Sequence, residues 1–121
     1  MENKMDPKIR ADITSSTFYY FLIASSLMTI AQISTMMVIV FADISGVENV
    51  VAASIIGPTL IGAFGVIRIL SNMNYLVQDM DAEMKATAYG AGVSEIPFSI
   101  LKFAFAGIFV VIAIVQLTTI Y

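Results

Sequence analysis

The sequence predicts an all-α integral membrane protein with three transmembrane helices, the second kinked at Pro58 and extended beyond the bilayer as an amphipathic helix. Three observations carry this reading. Residues 13–42 contain no ionisable carboxylate or amine, and about 20 mostly apolar residues suffice to cross a hydrocarbon core. Residues 49–67 and 98–121 have the same character, the latter interrupted by Lys102 and Gln116. The composition agrees: 59% of the residues are hydrophobic, 12% are charged, and mean hydropathy is +0.90. A soluble domain carries about 25% charged residues, so most of this surface is expected to face lipid or other membrane subunits.

Residues 1–14 alternate in charge through Glu2, Lys4, Asp6, Lys8, Arg10 and Asp12 and read as a polar N-terminal arm, with a helical turn available from Pro7 onward. A signal peptide fits poorly, because this region is as acidic as it is basic and the apolar run is too long. The remainder, 15–121, forms a single three-helix membrane domain. The first span is expected over about 15–42. Phe18, Tyr19, Tyr20 and Phe21 stand where an interfacial aromatic belt belongs. Ser25, Thr29 and Gln32 recur at i, i+4 and i+7 and share a face. Interhelical hydrogen bonds from such groups supply about 0.6–2 kcal/mol each, so packing is the expected role of Gln32 ahead of ligand binding.

Ser45 and Gly46 mark a tight connection. The second span follows over about 50–71, with Pro58 expected to bend it. Ala53 and Gly57 form a small-xxx-small pair, and Gly62 and Gly65 also permit close helix approach. A broken helix that offers carbonyls to an ion is the rival reading, and no nearby carboxylate supports it. Arg68 closes the span as a snorkelling anchor. Met73, Leu76, Val77, Met80 and Met84 continue at helical spacing, which predicts a partner-docking extension to about residue 88, ended by Gly90 and Gly92. The third span is expected over about 96–120, capped by Ser94 and opened by Pro97. Lys102 serves as an anchor, Ala106, Gly107 and Ala113 as a packing patch, and Tyr121 as an anchor at the opposite interface.

The basic residues give the orientation. Lys4, Lys8 and Arg10 precede the first span, and Arg68, Lys85 and Lys102 border the second connection. By the positive-inside rule the N-terminus and the 72–95 connection face the cytoplasm and the C-terminus lies outside, in a cell or organellar membrane. The bias also argues against a dual-topology transporter.

The chain has no Cys and no His, which removes disulfides, thiolate nucleophiles, Cys/His zinc sites and imidazole bases. A net charge of −3 gives no phosphate-neutralising patch for nucleic acid. Asp79, Asp81 and Glu83 alternate as at the start of a calcium loop, but the turn glycine and distal Glu are missing, and a solvated face is the simpler account. Met73, Met80 and Met84 could bind a soft metal, yet Met36 and Met37 belong to the opposite side, and methionine commonly serves as adaptable packing. No catalytic, cofactor or metal residues are assigned, and structural lipids are the one non-protein component allowed for. No membrane-embedded carboxylate serves a proton path. The expected function is a small non-catalytic accessory subunit of a larger integral-membrane complex, with a respiratory or monooxygenase-type oxidoreductase as the suggested host. The partners are then larger membrane subunits and the bilayer, with no soluble substrate. The alternative is a homo-oligomeric channel or transport protein, with Gly57, Pro58 and Gly62 at its interface and Ser25, Thr29 and Gln32 facing a pore.

Overall fold

A computed structural model describes residues 6–121, and every regular element in it is a helix. The order is α1 (Pro7–Phe41), α2 (Glu48–Gln78), α3 (Ala82–Lys85), α4 (Ala88–Ser94) and α5 (Phe98–Ile120). Among these, α1, α2 and α5 are long and apolar enough to cross a membrane.

Helix α1 starts earlier than the expected boundary at residue 15. Asp6 stands at its N-cap and accepts from the Lys8 N–H at 3.4 Å, and the Arg10 N–H donates to the Asp6 carbonyl at 2.9 Å. Between Lys8 and Ser15 no glycine or proline interrupts the backbone ladder, so the charged residues 8–12 ride on the helix. The arm proposed for residues 1–14 is thus helical from Pro7, and residues 1–5 lie outside the described region.

A short connection turns the chain from α1 into α2. The Asp43 carboxylate accepts from the Ser45 N–H at 3.0 Å. The Ser45 hydroxyl and this N–H hold the Asp43 carboxyl below the usual range. Gly46 has φ +88° and its N–H donates to the Glu48 carboxylate at 3.0 Å. That left-handed conformation favours a residue without Cβ.

Helix α2 is the centre of the bundle and packs on both α5 and α1. One apolar cluster joins Met28 of α1, Val66 and Leu70 of α2, and Phe98 and Phe109 of α5. Phe21 and Phe105 add an edge-to-face pair with ring centroids 5.3 Å apart, an arrangement aromatic quadrupoles favour. A second cluster joins Val51 and Ile55 to Ala113 nearer the other end. Gly62 lies directly against the Met28 sulfur, so a Cβ there would collide with it. Helix α2 is helical on both sides of Pro58.

The expected extension to residue 88 does not form one helix. Helix α2 ends at Gln78, and two short helices follow. The reason is capping chemistry. The Asp81 carboxylate accepts from the Met84 N–H at 2.7 Å and starts α3, and the Thr87 hydroxyl accepts from the Gly90 N–H at 3.0 Å and starts α4. Such side chains compete with the helical ladder and suit N-caps better than helix interiors. Gly90 and Gly92 sit inside α4 rather than at a helix end. Gly90 is needed because a Cβ would strike the Met84 carbonyl. Ser94 closes α4, its hydroxyl donating to the Gly90 carbonyl at 2.7 Å, and α5 begins after Pro97 without a side-chain cap. The apolar residues of the expected extension are folded in: Leu76 and Met80 are buried, and Met73 and Met84 are half-buried.

Candidate functional site

Two features stand out against an otherwise apolar bundle. The first is an exchange of amide hydrogen bonds between α1 and α5. The Gln32 side chain donates to the Phe109 carbonyl at 2.8 Å, and the Gln116 side chain donates back to the Gln32 carbonyl at 2.9 Å. Both glutamines are buried, at 6% and 4% exposure. Phe109 and Gln116 are two helical turns apart on α5, so the single α1 residue Gln32 is held to α5 at two separate levels. The Thr35 hydroxyl lies 3.2 Å from Gln116 Oε1 and is also within reach of the Ala31 and Gln32 carbonyls. Its single proton serves one acceptor at a time.

The second feature is a cleft of about 490 Å³ at the end where α1 begins and α2 finishes. It follows from unequal helix lengths. Helices α1 and α2 have 35 and 31 residues, against 23 in α5. At about 1.5 Å per residue, α1 outruns α5 by roughly 18 Å and α2 by roughly 12 Å. The opposite ends are held level, because the Tyr121 hydroxyl of α5 donates to the Asn49 side chain at the start of α2. The surplus therefore gathers at one end, where α1 and α2 are walled by α3, α4 and the first residue of α5.

Met73, Val77, Met80, Phe18 and Tyr89 line the cleft, and among the described residues Arg10 is its one charged side chain. Arg10 is only 5% exposed. Its guanidinium donates to the Asp79 carbonyl at 3.0 Å, which places a cation on the carbonyl end of α2, the favourable sign for a helix C-terminus. No carboxylate among the described residues lines the cleft. Among the described residues, no group of three His, Cys, Asp or Glu gathers as a metal site. The arrangement offers a way to hold an amphiphile, and it sets no acid and base face to face.

The other expected packing residues are dispersed. Gln32 is buried, but Thr29 is exposed and its hydroxyl bonds back to the Ser25 carbonyl at 2.8 Å, so the polar face of α1 is divided. Ser25 Oγ is buried with no hydrogen-bond partner among the described residues. Gly62 meets Met28, whereas Gly57, Gly65 and Gly107 have no neighbour within 4 Å of an added Cβ, and Ala53 and Pro58 are exposed. Of the expected anchors, Tyr19, Tyr20, Arg68 and Tyr121 are exposed. Lys102 is half-buried, donating to the Ser71 hydroxyl at 3.3 Å and lying 5.2 Å from the Phe103 ring centroid. Sequence reasoning did not single out Arg10, Thr35 or Gln116 as site residues. For Gln116 a signal existed, since it is the one amide in α5.

No protein family, curated protein or solved structure matches the chain.

The geometry ranks the two glutamines. Gln116→Leu removes a donor and the Thr35 acceptor, while Gln32→Leu removes one donor and leaves its backbone carbonyl in place. At about 0.6–2 kcal/mol per interhelical bond, Gln116→Leu should cost at least as much stability as Gln32→Leu. Thermal unfolding in detergent, followed by circular dichroism, checks the order.

Proposed function

We propose that this chain is a small non-catalytic subunit of a larger integral-membrane complex. The observation that carries the reading is the outward face of α2, where Ala53 and Pro58 are exposed and Gly57 and Gly65 have no neighbour at the Cβ position. Exposed Leu, Ile and Phe are equally content against acyl chains. The small residues beside the exposed Ile61 and Phe64 differ, because there the backbone admits close approach by another helix, and association in lipid depends on such packing. The pore reading draws less support, since the Gln32 amide is engaged with α5 and Thr29 with its own helix.

The distribution of Lys and Arg supports a cytoplasmic N-terminus and a cytoplasmic α2–α5 connection, with the α1–α2 turn outside. An oxidoreductase host is one candidate setting, and the host's chemistry would come from its other subunits.

Purification from the source membrane in mild detergent, through an N-terminal affinity tag, tests the assignment. Larger membrane subunits should accompany the chain at fixed stoichiometry. Recovery of this chain alone as a discrete oligomer would contradict it. Orientation is separately accessible because the chain has no cysteine. Ser45→Cys should react with a membrane-impermeant maleimide in intact cells, and Glu83→Cys only after permeabilisation; the reverse pattern would invert the topology.

A further inference from the structure

We infer that the cleft around Arg10 binds one anionic phospholipid, with its phosphate at the guanidinium and an acyl chain along Met73, Val77 and Met80. The inference rests on the chain lying in a bilayer and is independent of which complex it joins.

Charge is the first argument. A guanidinium has five donors and a permanent charge. Arg10 is nine-tenths buried, and among the described residues its side chain makes one hydrogen bond, to a neutral carbonyl. Burying a cation against a neutral acceptor is unfavourable by several kcal/mol unless a counter-charge compensates. Since no carboxylate among the described residues lines the cleft, an anion entering it meets attraction from Arg10 without a competing negative wall from them. Guanidinium and phosphate also match in planar, two-point geometry. One turn beyond Arg10, the Ser15 hydroxyl lines the same cleft and can donate to a headgroup oxygen.

Shape and position are the second. Ligand clefts of about 300–1,000 Å³ are mostly apolar with a few placed polar groups, and this one, at about 490 Å³, is lined chiefly by Met, Val, Leu and aromatic side chains. Methionine adapts to the irregular contour of a flexible chain. The cleft lies where α1 and α2 outrun α5, and Phe98, the first residue of α5, forms part of its wall. In a bilayer spanned by α5, that level is the boundary between headgroups and acyl chains. Basic pockets between helices on the cytoplasmic side suit anionic headgroups.

Native mass spectrometry of the full chain released from detergent micelles tests this. The probes are phosphatidylglycerol and phosphatidylcholine with identical acyl chains. The wild type should retain one phosphatidylglycerol about tenfold more tightly than phosphatidylcholine, whose choline cation offsets the phosphate charge that Arg10 meets. Arg10→Gln should erase the headgroup preference, and Arg10→Lys should keep most of it. Ser15→Trp, at an exposed position that lines the cleft, should weaken retention of both lipids without disturbing the core. If Arg10→Gln fails to fold, Arg10→Lys and Ser15→Trp still decide the matter. Equal retention of the two lipids by the wild type, a preference that survives Arg10→Gln, or retention indifferent to Ser15→Trp would overturn the inference. Failure of the bilayer premise looks different: the chain would then be soluble and monodisperse without detergent.

Discussion

Hydrocarbon solvates a leucine as well as another leucine does, so apolar helices in lipid gain little from mere contact. Their register must come from close packing and from the few polar groups that find partners. In this chain, the amides exchanged between Gln32 and Gln116 are those groups. Helices α1 and α5 meet only narrowly, with α2 filling the space between them. Without the exchange, α1 would be held chiefly through α2. A slide of one residue would separate both glutamines from their acceptors and leave two amides unsatisfied in an apolar interior, a costly state.

Register then determines what happens at the far end. The C-terminus of α5 is level with the start of α2, and α1 is fixed against α5. The surplus length of α1 and α2 consequently emerges on one side only. There the two helices lack a long third neighbour, and the chain closes the gap with α3 and α4, whose close fit requires Gly90. Arg10 ties the base of this structure together by donating to the Asp79 carbonyl at the C-cap of α2. A cleft with one buried cation is the result of three helices of unequal length packed from one end.

Much of the architecture was legible in sequence because helices long and apolar enough to cross a membrane make simple demands on composition. Three long apolar runs, the third carrying only Lys102 as a charge, left little choice of helix number, and Gln32 stood out because amides are rare and expensive in such runs. The break after Gln78 was not legible from periodicity. Met73, Leu76, Val77, Met80 and Met84 keep helical spacing across it, and the folded chain still brings Met73, Leu76, Val77, Met80 and Met84 to the same cleft. Pattern continuity therefore reflected a shared destination and not a continuous helix. The local signals at Asp81 and Thr87, both good N-cap residues, were the better guide. Arg10 was obscured by its alternating acidic neighbours, and only the tertiary fold separates it from the exposed Lys8 and Asp12.

The claim on which the rest depends is the reciprocal amide exchange, and solution NMR of the isotope-labelled chain in micelles addresses it directly. The Gln32 side-chain NH2 protons should show nuclear Overhauser contacts to Phe109 and its neighbours on α5, those of Gln116 to Gln32 and its neighbours on α1, and both should exchange slowly with water. Side-chain amide protons that contact only their own helix and exchange as fast as the exposed Gln78 would contradict the account, and with it the register that creates the cleft.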